Sequence, residues 1–569
     1  MNYAKQFKTR KPQTPQTEPI PGTNQVPNSE GGYVWQVGPW AQFERFLVLG
    51  AEKGTFYIRE EDLVKQVHTA TVACIKQDGL RAVKLIEDIS VSGRAYKNDP
   101  AIFALALVTV HGDQAAKTAA YEAMPRVCRI GTHLFHFASY ASAMRGWGRG
   151  LRRSIANWYT SKDPAHLAYQ LIKYQQRDGW THSDLLRLAH PKPTSEAMTG
   201  LFFYVIKHWE AMQDAPHNRE VSRKGNKGAQ KATRTYPVGG RSCLPALIAA
   251  FEEAKTADAN RLVHLIVEHD LPREAVPTDK LNSVKVWEAL LHKMPLTAMI
   301  RNLGKMSHVG LIKPLSDASK KVVAALENTS AMKKARIHPL GILVAMKQYR
   351  LGHGLKGSLT WAPAMPVLDA LDQAFYASFQ HVSPIGKPVL IGCDVSGSMT
   401  CSNIAGSTLT CAEAVAALAL VTANVEKDYL IMAFDRGIQK LDIGPKQRLD
   451  TVLREVSDIN GGGTDCALPM LYAASNNIRV GGFIVLTDCE TYAGSVHPQQ
   501  ALRDYRSEYV EDARQIIVGM TSNDFSIADP NDPLALDVVG FDAAVPALMS
   551  DFIRGQPAPS VAAEEDAAN

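Results

Sequence analysis

Short amphipathic segments follow one another through the first two thirds of the chain. In the stretch EDLVKQVHTATVACIKQ, the residues Leu63, Val67, Ala70 and Cys74 recur every three or four positions, as on one face of a helix. The stretch VKVWEALLHKMPL repeats this pattern, and many such segments end at Gly, Pro or an Asp/Asn-rich turn. Helices of about 12 to 18 residues cannot each bury a face alone, so the pattern predicts stacked helices, either a helical-repeat array or an irregular bundle.

The pattern changes after residue 385. Four continuous apolar runs, PVLIGCD (388–394), DYLIMAFD (428–435), GFIVLTD (482–488) and RQIIVGM (514–520), alternate with helical stretches such as QRLDTVLREVS. Continuous rather than alternating hydrophobicity is typical of strands that are covered on both faces. The alternation of strands and helices therefore predicts an α/β domain with a parallel, doubly wound sheet.

These changes divide the 569 residues into four parts. Residues 1–32 contain five prolines and no apolar periodicity, which predicts a disordered arm. Residues 33–384 form the predicted helical unit and residues 385–555 the predicted sheet domain. Residues 556–569, which include the stretch SVAAEEDAAN, are expected to be a disordered acidic tail.

The composition, 46% hydrophobic and 21% charged, is that of a soluble globular protein. The most apolar stretches are about ten residues long, too short to span a bilayer, and the first residues lack the apolar segment of a secretory signal. Eight cysteines occur without a C-x-x-C pair, which favours free thiols over a disulfide framework or a zinc site. We therefore expect a cytoplasmic protein with no membrane partner.

The net charge of +5 conceals an uneven distribution. Residues 385–569 contain 12 Lys and Arg against 25 Asp and Glu, a balance of −13, so the first 384 residues carry +18. A large basic surface most often binds nucleic acid, and an acidic domain is suited to a cation. The two parts are therefore expected to have different partners.

Small oxygen-bearing side chains follow the predicted strands. Asp394, Ser396 and Ser398 alternate directly after the first strand, Thr464 ends the glycine-rich turn NGGGTDC, and Asp488 follows a later strand. In a doubly wound sheet, ligands bind beyond the carboxyl ends of the strands, and hard oxygen ligands favour Mg²⁺, Mn²⁺ or Ca²⁺ over zinc. The sequence thus predicts a divalent-cation site, although D-x-S-x-S alone also occurs in simple hydrogen-bonded turns.

The motifs CDVSGSM, GGTDCALPM, LTDCETYAGSVHP and GMTSNDFSIADP resemble the von Willebrand A domain of the Ro (SS-A) 60 kDa autoantigen family. GGYVWQV, WGRGLRRSIANWY, YQQRDGWTHSDLLRLAHPKP and KKARIHPLGILVAMKQYRLGHG resemble its TROVE module, whereas SRKGNKGAQKATRTYPVGG departs from the family pattern. The resemblance extends from about Tyr33 to Phe552, in the family's order.

The resemblance implies a HEAT-like helical-repeat ring closed by the von Willebrand A domain. It also implies a non-catalytic, monomeric protein of RNA quality control or degradation that binds Y RNA on its outer surface and misfolded or single-stranded RNA ends in the ring. In the related adhesion site, Ser396, Ser398 and Thr464 would bind the metal, Mg²⁺ above all, directly. Asp394 and Asp488 would act through water, and an open position would accept a partner's carboxylate. In bacteria, an exoribonuclease is a further partner that the resemblance admits.

Lys173 and Arg177 are the first candidates for RNA contacts. The stretch PAHLAYQLIKYQQRDGW reads as one helix, on which these two cations lie next to each other and opposite the apolar stripe. A solvated face near a helix C-terminus explains them equally well on the sequence alone. The resemblance matches Lys173, Arg177 and His190 to positions that contact Y RNA, although His190 could instead be satisfied within its own turn.

Further basic residues cluster in the stretch RGWGRGLRR, namely Arg145, Arg149, Arg152 and Arg153. The segment 219–234 has six basic residues against one Glu and is expected to be a mobile loop that either solvates the surface or attracts RNA.

Two other functions remain open on the residues alone. One is a metal-dependent nuclease or phosphatase that uses the cation at Asp394, but the chain lacks H-E-x-x-H, a P-loop lysine and a G-x-S-x-G turn, and no catalytic residue is assigned. The other is a metal-dependent protein-adhesion scaffold in which RNA is secondary.

Overall fold

The computed structural model describes residues 12–51, 60–212, 218–225, 228–235, 240–335, 337–354, 358–379, 383–404, 407–445, 447–459, 461–541 and 544–555. The first two thirds of the chain are helical. The helices of this part are α1 (Pro39–Leu49), α2 (Glu60–Gln77), α3 (Gly79–Ser92), α4 (Asp99–His111), α5 (Gln114–Val127), α6 (Gly131–Arg145), α7 (Arg149–Thr160), α8 (Pro164–Lys173), α9 (His182–Ala189), α10 (Glu196–Lys207), α11 (Ala246–Ala254), α12 (Ala259–His269), α13 (Val284–Leu291), α14 (Leu296–His308), α15 (Asp317–Glu327), α16 (Thr329–Lys334), α17 (Pro339–Leu351) and α18 (Met365–Ala377).

Short strands accompany these helices. They are β1 (Val26–Pro27), β2 (Tyr33–Gln36), β3 (Gln176–Arg177), β4 (Trp180–Thr181), β5 (Asn218–Gly225) and β6 (Gly228–Thr235). The strands β5 and β6 pair antiparallel over their whole length, so most of the segment 219–234, which was expected to be a loop, is a hairpin.

Local sequence explains where several helices begin. Asp78, Asp113 and Ser195 each precede a helix and accept a hydrogen bond from a backbone N–H of its first turn, which satisfies donors that the helix itself leaves free. The predicted apolar stripe of α2 is buried throughout. The stacked amphipathic helices that the pattern predicts are therefore confirmed.

Helices that are near in sequence pack against each other, and the array closes on itself. The side chain of His338, before α17, contacts the carbonyl oxygen of Arg94, after α3, at 3.2 Å. Helices α14, α15, α17 and α18 pack together at the far end of the array. We call this closed array, α1 to α18, the helical ring.

The sheet domain follows the ring. Its strands are β7 (Val389–Asp394), β8 (Tyr429–Phe434), β9 (Ile438–Lys440), β10 (Gly482–Thr487), β11 (Arg514–Gly519), β12 (Phe525–Ser526) and β13 (Ala535–Val539). Its helices are α19 (Gly397–Cys401), α20 (Cys411–Val425), α21 (Leu449–Ser457), α22 (Leu468–Ser475), α23 (Pro498–Glu508) and α24 (Ala544–Arg554).

Within the described residues, the main sheet has the order β13-β11-β10-β7-β8-β9, and only β9 is antiparallel to its neighbour. The strands β7 and β10 are buried along their whole length because helices cover both faces. The four apolar runs are strands β7, β8, β10 and β11, so the doubly wound domain is confirmed. The carboxyl ends of β7 and β10, which are neighbours, lie at the same edge.

Both ends of the ring attach to the sheet domain through ion pairs. At the start, Arg45 of α1 binds Asp537 of β13 at 2.6 Å, with the Arg45 side chain 1% exposed. At the end, Lys347 of α17 binds Glu413 of α20, also at 2.6 Å. The sheet domain therefore bridges the two ends of the ring, in addition to the direct contact of His338 with Arg94.

Residues 12–36 pack on the sheet domain rather than forming part of a disordered arm. Strand β2 pairs with both β1 and β12, and the side chain of Gln16 is fully buried. The expectation of disorder is wrong for residues 12–32. This segment has no apolar periodicity, but polar side chains such as Gln16 are held by hydrogen bonds to the sheet domain. We call residues 12–36 the N-terminal strap. Residues 1–11 and the expected tail 556–569 lie outside the described residues.

Two further features bear on the class of protein. All eight cysteines are free thiols, as their spacing predicts. Across the described ranges, no helix is both long enough and apolar enough to cross a membrane.

Candidate metal site and basic surface

Asp394 ends β7, and its carboxylate is held in one orientation. The backbone N–H of Ser396 donates to Oδ1 at 2.9 Å, and the Thr487 hydroxyl donates to Oδ2 at 2.5 Å. The side chain is fully buried. The end of the central strand thus presents a fixed, buried carboxylate.

Two serine hydroxyls lie beside this carboxylate. Ser396 precedes the short helix α19 and Ser398 lies in its first turn, so that their Oγ atoms are 3.1 Å apart. Both side chains are 1% exposed. The alternate spacing that the sequence shows therefore places two hydroxyls at one point.

The glycine-rich turn brings Thr464 to the same edge. A Cβ atom on Gly461 would lie 1.7 Å from the Val395 carbonyl oxygen, so only glycine allows the turn to approach so closely. Gly397 donates its N–H to the Gly462 carbonyl at 3.0 Å, which fixes the two loops together. The Oγ1 of Thr464 is buried and has no hydrogen-bond partner within the described residues.

Asp488 completes the cluster after β10. Its backbone carbonyl accepts a hydrogen bond from the Asn523 amide at 2.6 Å, and its carboxylate interacts with the Ser398 hydroxyl. Burial, and then the negative charge of Asp488, raises the pKa of Asp394 to about 7. Burial also raises the pKa of Asp488. Two buried carboxylates thus lie close together, and the hydrogen bonds they accept only partly offset the cost of burying their charges.

These residues fit a hard divalent cation. The five side chains supply only oxygen donors, are at most 3% exposed, and include one hydroxyl without a partner. Among the described residues there is no group of three or more His, Cys, Asp or Glu side chains that could hold a metal ion. The donor set is therefore one of hydroxyls and two carboxylates, which suits Mg²⁺ rather than zinc.

The N-terminal strap supports the loops that carry this site. The Gln16 amide donates to Asp465 Oδ1 at 2.7 Å and accepts from the Thr491 hydroxyl at 2.5 Å. The backbone N–H of Ser29 donates to Glu490 at 3.0 Å. The sequence analysis missed Gln16 and Ser29, which no periodicity or motif distinguishes.

The structure gathers three of the predicted arginines around one groove. Arg145, Arg149 and Arg153 line a cavity of about 640 Å³ between α5 and α7, and all three are exposed. The same groove is lined by Lys117 of α5 and by Lys192, neither of which the sequence analysis named. We call these five cations and the cavity they line the basic groove.

Few opposing charges lie in the basic groove. Among the described lining residues, Glu122 is the sole carboxylate. Arg152 is exposed on α7 but does not line the groove.

Helix α7 lies close to α5 because Gly150 packs against the Tyr121 ring, where a Cβ atom would be 2.4 Å from a ring carbon.

The single helix expected from 164 to 180 is wrong. Helix α8 ends at Lys173, and Arg177 lies in the hairpin β3-β4, opposite Trp180. Asp178 and Gly179 both have positive φ angles, 52° and 77°, which is the Asp-Gly turn that two-residue hairpins favour. The Asp178-Gly179 pair in the sequence was the signal that could have predicted that the helix ends before Arg177.

Lys173 and Arg177 differ in their surroundings. Lys173 is half-buried, and its Nζ donates to the Tyr169 hydroxyl at 3.1 Å. Arg177 is exposed. The two cations therefore do not lie on one helical face, although both remain accessible to solvent.

His190 ends α9 in a left-handed backbone conformation, with φ 49° and ψ 52°. Its backbone N–H donates to the Leu186 carbonyl at 3.0 Å, and its side chain is exposed. Lys192 of the basic groove follows two residues later. The imidazole is thus presented to solvent near the groove.

Two tryptophans connect the β3-β4 hairpin to the basic groove. The rings of Trp180 and Trp147 lie 5.4 Å apart. In the sequence, Trp147 lies between Arg145 and Arg149. The hairpin that carries Arg177 therefore packs beside the groove. Packing of Trp180 on Trp147 thus brings Arg177 near the predicted arginines of the basic groove.

Comparison with known proteins matches both parts of the chain. Residues 26–350 match the TROVE domain family, and residues 388–553 match the Ro60 vWA domain family. The chain is similar to RNA-binding protein RO60 of Deinococcus radiodurans, with 38% identity over 545 residues, 95% of this chain and 97% of that protein. It is also similar to RNA-binding protein RO60 of Caenorhabditis elegans, with 34% identity over 585 residues, 94% of this chain and 90% of that protein.

A solved structure shows the same architecture. The crystal structure of the Deinococcus radiodurans RO (RSR) protein covers 91% of this chain and 100% of its own, with 36% identity and a TM-score of 0.66.

Proposed function

Because the chain belongs to the Ro60 family of TROVE and von Willebrand A domain proteins, we propose that it binds small structured RNA without cleaving it. The observation that carries this proposal is the basic groove, which gathers five cations around one cavity. The relatives that cover most of the chain are named RNA-binding proteins, which agrees with it.

Charge and shape both favour a phosphate backbone as the ligand of the groove. The first 384 residues carry a net charge of +18, and the groove cations come from α5, α7, the end of α6 and the segment after α9. Guanidinium groups bind phosphate in a bidentate manner, and Arg145, Arg149 and Arg153 supply three of them. The neighbouring rings of Trp147 and Trp180 offer faces on which an unpaired base could stack.

The finer proposal concerns the kind of RNA. We propose Y RNA on the outer basic surface, with Lys173, Arg177 and His190 among its contacts, and misfolded or single-stranded RNA ends in the ring. This assignment follows the family resemblance and implies a role in RNA quality control or degradation. It is supported by the accessibility of all three side chains and by the position of Arg177 beside the groove.

One experiment tests RNA binding and separates the alternatives. Purified protein is incubated with labelled structured RNA and Mg²⁺, and both retention and cleavage are measured. Retention without cleavage supports the proposal. Cleavage that is lost in Asp394→Ala would favour a metal-dependent nuclease, and absence of retention would favour a protein-adhesion scaffold.

A matched pair of variants locates the binding surface. Arg149→Ala with Arg153→Ala removes two cations of the basic groove, whereas Lys333→Ala with Lys334→Ala removes two exposed cations of α16 outside it. We expect the first pair to weaken binding about tenfold or more and the second to change it less than twofold. Equal effects of the two pairs would contradict the assignment of the groove.

We also propose that the sheet domain binds one divalent cation, Mg²⁺ in the cell. Ser396, Ser398 and Thr464 would hold it directly, with Asp394 and Asp488 balancing its charge. The buried, unpartnered hydroxyl of Thr464 supports this proposal most directly. When bound, the cation supplies a Lewis-acidic position that a carboxylate of a partner protein, such as an exoribonuclease, could fill.

Titration of the metal-free protein with Mn²⁺ tests the cation site independently of RNA. Electron paramagnetic resonance measures how much of the Mn²⁺ is bound. We expect one tight site in the unaltered chain and at least tenfold weaker binding in the double variant Ser396→Ala with Ser398→Ala. Unchanged Mn²⁺ binding in this variant would show that the cation lies elsewhere.

A further inference from the structure

A second cavity, of about 580 Å³, lies where the ring closes, between α14, α17 and the turn after α3. Its volume is within the range of sites that take small ligands. Its walls are apolar and aromatic, with Tyr96, His338 and Trp361 contributing rings. We call it the aromatic pocket. It shares no lining residue with the basic groove.

The aromatic walls are held in place by specific contacts. The indole of Trp361 lies against α14 at Gly304, where a Cβ atom would be 2.9 Å from the ring, so that glycine is needed for this approach. Its Nε1 donates to the Tyr349 carbonyl at 2.8 Å, and the two rings stack with an interplanar angle of 15°. The indole is therefore a pre-positioned flat wall.

The opposite wall is equally fixed. The rings of Tyr96 and His338 lie 5.8 Å apart. His338 contacts the Arg94 carbonyl through Nε2 and accepts the Leu340 N–H at Nδ1, so both ring nitrogens are used. Burial lowers the pKa of His338 to about 4, and the ring is therefore neutral near pH 7. It presents an uncharged face to the pocket.

Gln348, which lines the pocket, carries one polar atom without a partner. The Gln348 amide nitrogen donates to the His353 carbonyl at 2.6 Å, which determines that Oε1 points the other way. This Oε1 is buried and has no hydrogen-bond partner within the described residues. A buried acceptor left without a donor is costly, and a ligand that brings an N–H group would satisfy it.

Cations surround the same pocket. Arg273 and Arg301 are exposed, Lys305 is half-buried, and the described residues that line the pocket include no carboxylate. Arg301 is close enough to Tyr174 to lower the pKa of its hydroxyl, against the larger opposing effect of burial. Tyr174 is adjacent to Lys173, an expected RNA contact. The positive mouth of the pocket is therefore near the surface assigned to RNA.

We propose that the aromatic pocket binds one nucleotide of a single-stranded RNA segment. The base would lie among the Trp361, Tyr96 and His338 rings, an N–H on its edge would donate to Gln348 Oε1, and its phosphate would face Arg273 and Arg301. This inference rests on the proposed RNA-binding function and assigns a base-binding site within it. Stacking on aromatic rings tolerates any base, so the pocket need not select a sequence.

Gly341 offers a matched pair of variants for the test. It lines the pocket from α17, and a Cβ atom added there would be 3.6 Å from the Tyr96 ring, an ordinary contact. Gly341→Ala therefore fits, whereas Gly341→Leu extends into the cavity. A separate variant, Gln348→Leu, removes the unpartnered acceptor Oε1 and leaves Gly341 unchanged. Circular dichroism and thermal melting establish that each variant is folded.

The probes are labelled single-stranded RNA pentamers of each base and a blunt RNA duplex, titrated against the full chain. We expect Gly341→Leu and Gln348→Leu to weaken pentamer binding by roughly tenfold, the loss of about one stacked base, while duplex binding is unchanged. Gly341→Ala should stay within twofold of the unaltered chain.

Three results would overturn the inference, and they have different meanings. Pentamers that bind all variants equally would exclude the pocket but leave the proposed function intact. Free nucleoside monophosphates that compete as well as pentamers do would assign the pocket to free nucleotides instead. Failure of the unaltered chain to bind pentamer or duplex would contradict the proposed function itself.

Discussion

Replacing Thr464 by Val should stabilise the metal-free protein but weaken its stabilisation by a divalent cation. Thr464 is fully buried, and its Oγ1 has no partner within the described residues. A buried hydroxyl without a hydrogen bond costs about 1–3 kcal/mol. Without metal, Thr464→Val removes this cost, and we expect the free energy of unfolding to rise by about 1 kcal/mol.

With Mg²⁺ present, this advantage of Thr464→Val should shrink by about 1.3 kcal/mol. A ligand at one hundred times its Kd stabilises the folded state by about 2.7 kcal/mol, and a tenfold weaker site at the same concentration gives only about 1.4 kcal/mol. The unaltered chain should therefore gain more from Mg²⁺ than Thr464→Val does. Urea unfolding of the full chain in EDTA and in Mg²⁺ measures both effects.

Thr71 provides the matched control. It is also fully buried, in α2, and its Oγ1 also lacks a partner within the described part of the chain. Thr71→Val should raise stability in EDTA by a similar amount but leave the Mg²⁺ response unchanged. If Thr464→Val responds to Mg²⁺ as fully as the unaltered chain, the reasoning that makes Thr464 a metal ligand is refuted.

Three other predictions concern the anchor of the ring, pH and the RNA surface. Arg45→Met breaks a buried ion pair and should lower the free energy of unfolding by about 3–5 kcal/mol, measured by urea titration; a loss below 1 kcal/mol would contradict the anchoring role. Burial lowers the pKa of His182 to about 4, below its ordinary 6.5, so the stability that neutral His182 contributes should be lost as pH falls from about 6.5 towards 4, by roughly 3 kcal/mol. His182→Gln should make the free energy of unfolding, measured by urea titration at each pH, depend less on pH in this range. An unchanged pH dependence would contradict the prediction. Lys173→Ala with Arg177→Ala should weaken Y RNA binding in a gel-shift titration while thermal melting stays unchanged, and unaltered affinity would remove these residues from the interface.

The strands and the oxygen cluster were predictable because they depend on local patterns. Four continuous apolar runs are strands of the sheet, and their carboxyl ends bring Asp394 and Asp488 together, as parallel strands must. Although Asp394 and Asp488 are far apart in the sequence, the parallel pairing of β7 with β10 brings them close together.

The parts that sequence analysis missed depend on contacts between distant segments. The N-terminal strap is polar and has no periodicity, yet Gln16 is buried by hydrogen bonds to residues about 450 positions away. Lys117 joins the basic groove through the packing of α5 beside α7, and Lys192 through the packing of α9 beside α7. The helix predicted through Arg177 stops because the Asp-Gly turn outweighs the apolar periodicity before it.

The dependence of RNA affinity on salt tests the central claim most directly. Each phosphate contact contributes about 0.7 to 0.9 to the slope of log affinity against log salt, so the five groove cations predict a slope near −4. Arg149→Ala with Arg153→Ala should reduce that slope by nearly two. Affinity that does not fall with salt, or a chain that retains no structured RNA at low ionic strength, would contradict the account.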